Sequence, residues 1–229
     1  MDDWSRFLEN MDWASLSWLL LRLVAVLLCI MVHEVSHGLA AYLLGDPTAK
    51  ARHRLSLNPI RHIDPLGTLM MLMVGFGWAK PVPVDARYFK HPRSGMAITA
   101  LAGPLSNFVL AYVAYVFAYF FLGIAVTSDN PGGWSIAACE FCAMTAALSI
   151  GLGIFNLIPF PPLDGSKVVG AFLPEHIYFK ILRYEFWGMI ALMALLWSGW
   201  IDLPLYAAQQ SVSRMLTILA QWPYQLMVG

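Results

Sequence analysis

LSWLLLRLVAVLLCIMVHEVSHGLAAYLL, residues 16–44, stays apolar for longer than the interior of a soluble protein requires. A helix crosses about 30 Å of hydrocarbon in about 20 residues, so the stretch predicts a membrane-spanning helix. Its second half nonetheless carries His33, Glu34 and His37. Ionisable groups inside a bilayer cost at least a few kcal/mol each and rarely persist without a function. One helix therefore announces both the solvent and the chemistry.

The rest of the chain agrees about the solvent. Of 229 residues, 59% are hydrophobic, 14% aromatic and 12% charged, whereas a soluble domain is about 45–50% apolar and about 25% charged. Further apolar stretches at 95–125, 135–158 and 186–201 are long enough, or nearly so, to span. Segment 203–228 is mixed, interrupted by Gln209, Gln210, Ser211, Ser213 and Arg214, and fits either a span or an interfacial helix. The short apolar run 66–78, broken by glycines at 67, 75 and 77, reads as a re-entrant or interfacial hairpin. Prolines 81 and 83 then force residues 80–84 to be extended. The expected fold is an all-α integral-membrane bundle of about four to six helices. It forms a single domain over 1–229, with a core at 15–185 and C-terminal helices at 186–228.

Charge placement gives an orientation. Formal net charge is zero, which argues against nucleic acid as a partner. Eight of the 14 Lys and Arg residues lie in 45–94, and Lys167, Lys180 and Arg183 lie in 159–185. Lys- and Arg-rich loops stay in the cytoplasm, so the N-terminus is expected outside. The acidic start (Asp2, Asp3, Glu9 and Asp12 against Arg6) lacks the positive region of a secretory signal, so the first helix is expected to stay. Trp4, Trp13 and Trp18 read as an aromatic belt, and Lys167, Lys180 and Arg183 as headgroup anchors. Three cysteines make no disulfide framework, and Cys139 with Cys142 reads as helix packing.

Histidines at i and i+4 project from one face of a helix, so His33 and His37 can share a metal. Glu34, between them, stands where it can take a proton from metal-bound water. A third protein ligand is needed. His53, His62, His91, His176, Glu140, Glu175 and Glu185 offer nothing distinctive; Asp164, in the run NLIPFPPLDG at 156–165, does. Prolines 159, 161 and 162 end the preceding helix, and Gly165 permits a sharp turn. His33 lies about 17 residues into an inward-running helix, about 26 Å along its axis. The helix ending near Ile158 also runs inward, so the two motifs share a depth near the cytoplasmic face.

The HEVSH and NLIPFPPLDG runs resemble the two defining motifs of the site-2 protease family of intramembrane zinc metalloproteases. AGPLSN at 102–107 is similar to that family's G-P-x-x-N motif, and GWAKPVPV at 77–84 looks like its compact bacterial and archaeal members. The resemblance implies one Zn2+ per chain, held by His33, His37 and Asp164, with Glu34 as general base. It places Asn156 and Asn107 beside the metal, where an amide can donate to a developing oxyanion. It also implies a membrane-protein substrate, cut in or beside its transmembrane segment and drawn out as an extended strand along 66–84. The chain has no room for a PDZ insertion or a C-terminal regulatory module, so a separate membrane partner is the expected regulator. The rival reading is a metal or proton transporter using His33, Glu34, His37 and Asp164 as a relay.

Overall fold

A computed structural model describes residues 13–58, 61, 62, 64, 67, 80–128, 133–174 and 184–229, with side chains from residue 17 onward. Among the described residues the chain is helical, without strands. In order these helices are α1 (Trp13–Leu43), a one-turn α2 (Thr48–Ala51), α3 (Pro92–Thr127), α4 (Gly133–Asn156), a short α5 (Asp164–Gly170), α6 (Glu185–Trp197), α7 (Asp202–Ala220) and α8 (Trp222–Val228). Helices α1, α3 and α4 hold 31, 36 and 24 residues, or about 46, 54 and 36 Å at 1.5 Å per residue. All three are long and apolar enough to cross a membrane.

These three helices pack on one another through small residues. Lipid is as apolar as leucine, so helices in a bilayer associate by close backbone approach rather than by burying apolar bulk. Ala111 and Ala114 of α3 and Ala146 of α4 are buried accordingly, around Ile150, and Ala118 of α3 is buried too. At the α3–α4 crossing a Cβ on Gly153 would lie 3.0 Å from Phe108 and 3.2 Å from the Pro104 carbonyl. The outward faces carry Leu20, Val24, Val109, Val113, Phe117 and Val126, all exposed to the lipid side. Pro104 sits inside α3 and has no N–H to give the Ala100 carbonyl.

The stretch 186–201, expected as a span of its own, is the 13-residue α6, which turns through 198–201 into α7 at 85°. Gly199, at φ +73°, makes that turn. It supplies a fourth span only when α6 and α7 are taken together as one bent element. Segment 203–228 is α7 plus α8. Tyr115 of α3 and Ser213 of α7 share a 2.7 Å hydrogen bond between hydroxyls, and Met227 of α8 lies where a Cβ on Gly123 would fall. The expected hairpin at 66–78 lies outside the described residues apart from Gly67, as do Trp4, Lys180, Arg183 and the side chain of Trp13. Trp18 is exposed, and Cys29, Cys139 and Cys142 are free thiols.

After α1 the chain is stapled by a fully buried carboxyl. Asp46 accepts from the backbone N–H of Thr48 at 2.8 Å, from the Thr48 hydroxyl, and from the backbone N–H of Asp85 at 2.7 Å. The staple draws residues 80–85 against the end of α1. Asp85 itself pairs with Arg87, whose guanidinium holds that carboxyl down at about 2; the pair is largely in solvent and adds little stability. Replacing Asp46 with alanine leaves these partly buried donors without their acceptor, and losing one buried partner costs about 1–3 kcal/mol. The Asp46→Ala protein should therefore melt at a lower temperature in detergent; an unchanged midpoint would refute the staple.

Candidate metal centre

His33, Glu34 and His37 occupy the last third of α1, and Asp164 is the first residue of α5. The prolines that end α4 let the chain double back at once. Gly165 then brings the start of α5 against the end of α4, since a Cβ there would collide with the carbonyls of Leu157 and Ile158. The sequence had suggested a sharp turn at this glycine. What the structure requires is close approach.

Three atoms meet as a result. His33 Nε2 lies 3.1 Å from Asp164 Oδ2, His37 Nε2 lies 3.0 Å from the same oxygen, and the two Nε2 atoms are 3.0 Å apart. The rings stand edge to face, 4.5 Å between centroids. All three residues are buried, at 5%, 9% and 8% exposure. Behind the rings, His37 Nδ1 donates to the Thr99 carbonyl at 2.7 Å and His33 Nδ1 donates to Asn107 Oδ1 at 3.1 Å. A neutral imidazole has one N–H. With both protons on Nδ1, each Nε2 presents a lone pair, and the Asp164 oxygen presents another.

Three lone pairs at this separation repel unless a cation stands among them. A tetrahedral zinc with bonds of about 2.0–2.1 Å spaces its ligand atoms by about 3.3 Å, and two imidazoles with one carboxylate are a zinc-type donor set. The residues present fit that ion. The rear hydrogen bonds to Asn107 and Thr99 do what such bonds do in metal sites: they fix the tautomer and the ring orientation.

A cavity of about 340 Å³ opens beside these atoms, with Glu34, Asn156 and Lys167 on its wall. Glu34 Oε2 accepts from the Val82 backbone N–H at 2.9 Å, which leaves Oε1 without a hydrogen bond among the described residues. Asn156 donates through Nδ2 to the Leu152 carbonyl at 3.0 Å. Asn107 differs from the expectation of an oxyanion donor facing the substrate. It is fully buried behind His33, and its Nδ2 has no hydrogen-bond partner among the described residues.

The sequence does not mark Thr99 or Gly103 as participants, whereas Asn107 is expected beside the metal. Thr99, Gly103 and Asn107 form a stripe at intervals of four on α3, matching the step between the two histidines. A Cβ on Gly103 would lie 2.5 Å from His37 Nε2 and 2.7 Å from His33 Cε1, so the glycine admits both rings to the helix. That shared interval was the available clue. Lys167, read as a headgroup anchor, instead lines the cavity with Nζ 3.7 Å from Asp164 Oδ1; it lies one helical turn beyond the aspartate, which turns it toward the site.

Helices made for lipid, enclosing a buried metal-type donor set beside a free carboxylate oxygen, define a membrane-embedded metallopeptidase. Comparison with known proteins gives the family. The chain matches the model described as Peptidase family M50 over residues 21–197. It is 37% identical over 172 residues to the protein named "Putative zinc metalloprotease YwhC" of Bacillus subtilis (strain 168), covering 75% of this chain and 78% of that one. To "Putative zinc metalloprotease Rip2" of Mycolicibacterium smegmatis (strain ATCC 700084 / mc(2)155) it is 27% identical over 179 residues, 74% of this chain and 64% of that one. No solved structure matches it. The chain belongs to peptidase family M50, the site-2 protease family, and is an integral-membrane metalloprotease. The match does not favour the transporter reading.

Filling the gap at Gly103 tests the architecture directly. Overpacking of this kind costs about 1–3 kcal/mol, so Gly103→Ala should lower the thermal midpoint in detergent. A crystal structure of that variant with both imidazoles unmoved would contradict the close approach.

Proposed function

We propose that His33, His37 and Asp164 hold one zinc ion and that Glu34 is the general base of an intramembrane endopeptidase. Its substrate is a membrane protein, cut in or beside a transmembrane segment. The observation that carries this reading is the meeting of three lone-pair atoms whose imidazoles are fixed from behind by Asn107 and Thr99. When bound, zinc supplies Lewis acidity toward water and toward the scissile carbonyl.

The protein's own groups do the rest. Glu34 takes a proton from the attacking water at Oε1, because Oε2 is engaged by Val82. It then returns that proton to the leaving amine. Asn156, on the cavity wall, has an amide proton left over from its bond to Leu152 and offers it to the developing oxyanion. Asn107 acts one step back, by holding His33. A helical substrate already has its peptide hydrogen bonds made, so it must unwind locally before it enters the cavity.

On the same reading, residues 1–229 form one membrane domain in a bacterial inner membrane. The N-terminus lies outside and the site near the cytoplasmic face, supported by the concentration of cations in 45–94 and 159–185. A separate membrane protein regulates access.

Metal analysis of the purified chain tests the ligands. Wild type should carry one zinc; His33→Ala and Asp164→Ala should lose it. Glu34→Gln should keep zinc while cleavage of a quenched-fluorophore single-span peptide falls by about 10²- to 10⁴-fold. Full zinc occupancy in Asp164→Ala would refute the assignment.

A further inference from the structure

The oxygen that Glu34 commits to Val82 is held from a distance. Of residues 80–83, only Lys80 and Val82 carry a backbone N–H, because 81 and 83 are prolines. The Lys80 N–H goes to the His62 carbonyl at 3.0 Å and the Val82 N–H goes to Glu34. Both donors are thus accounted for, and the one that meets the general base comes from a segment with no helix or sheet to steady it.

The steadying comes from side chains. Arg54 is 8% exposed, although it carries a charge that normally seeks water. Its guanidinium donates to the Lys80 carbonyl at 2.6 Å, to the Pro81 carbonyl at 3.1 Å and to the Arg61 carbonyl. Arg61 in turn donates to the His53 carbonyl at 2.8 Å. At the far end Asp46 holds the Asp85 N–H. Between the two clamps the proline rings fix their own torsions. Gly38 of α1 lets the segment lie close, since a Cβ there would fall 3.0 Å from the Val82 side chain. A planar guanidinium with several donors in a fixed fork suits two successive carbonyls; a lysine ammonium does not reproduce it.

We infer that Arg54 is a positioning residue for the general base, acting through the Lys80–Pro81–Val82 backbone to hold Glu34 Oε2 and so leave Oε1 for the proton. The inference rests on Glu34 being that base. Arg54 touches neither the proposed ligands nor the cavity. Its influence is carried by two carbonyls, one peptide unit and one N–H.

The test uses the full-length zinc-loaded protein in detergent and the same quenched-fluorophore single-span peptide. Misplacing a catalytic group slightly costs up to about 10²-fold in rate, so Arg54→Gln should lower kcat by about 10- to 100-fold while zinc content and KM stay near wild type. Val82→Pro, which deletes the N–H itself, should match it, and the double variant should lose little more. Arg54→Lys should recover part of the loss. A readout free of activity is hydrogen exchange of the Val82 amide, which should be protected in wild type and exposed in both Arg54→Gln and Glu34→Ala. Wild-type kcat in Arg54→Gln, or an equally protected amide in that variant, would overturn the inference. So would zinc loss in step with kcat, which marks general unfolding. Cleavage surviving Glu34→Gln would instead overturn the assignment of the base beneath it. Cleavage lost there but intact in Arg54→Gln and Val82→Pro would overturn the positioning role alone.

Discussion

Two imidazole nitrogens and a carboxyl oxygen, each within about a hydrogen-bond length of the others, make an arrangement that is unfavourable on its own. Everything around it serves to hold that arrangement in place. Thr99 and Asn107 keep the protons on the far side of each ring, Gly103 gives the rings room against α3, and Gly165 keeps Asp164 pressed inward at the start of α5. Without those constraints the rings would turn, a proton would settle between them, and the site would relax into an ordinary buried pair. A structure that maintains lone pairs against one another is prepared for a cation.

The same logic explains why so much of the bundle is built from alanine and glycine. A bilayer gives apolar side chains no reason to leave it, so the helices must gain contact by drawing their backbones together. Ala111, Ala114 and Gly153 do this along the α3–α4 seam. Gly103 makes the same kind of close approach on the side of α3 that faces α1, at the site itself. Packing and chemistry thus meet at one position on α3, a helix that contributes no donor of its own to the cluster.

Much of this was legible beforehand, because it is periodic or because it is out of place. Helix α1 follows from unbroken apolarity, and His33 with His37 follows from their spacing. Asp164 stood out through the prolines before it and the shared depth of the two segments. What the sequence concealed was relational. Thr99 contributes a main-chain carbonyl, which no residue type advertises. Arg54 was one cation among eight useful for orientation, and nothing in its neighbourhood marks it as buried. Lys167 looks the same in sequence whether it reaches for a headgroup or turns toward Asp164; only the direction of α5 decides. The stretch 186–201 reads as continuous apolar helix, yet Gly199 and the short loop at 198–201 redirect it.

His33 and Asp164 stand 131 positions apart along the chain. An ion gripped by both would close one of the longest loops available to this protein, in a molecule whose three thiols are free and supply no covalent crosslink. Long closures remove the most freedom from an unfolded chain, and metal binding that requires the folded arrangement feeds back on folding itself. With the proposed ion in place, the cluster would also be the knot that ties the first helix to the second half of the bundle, and demetallation would slacken the architecture as well as silence the site.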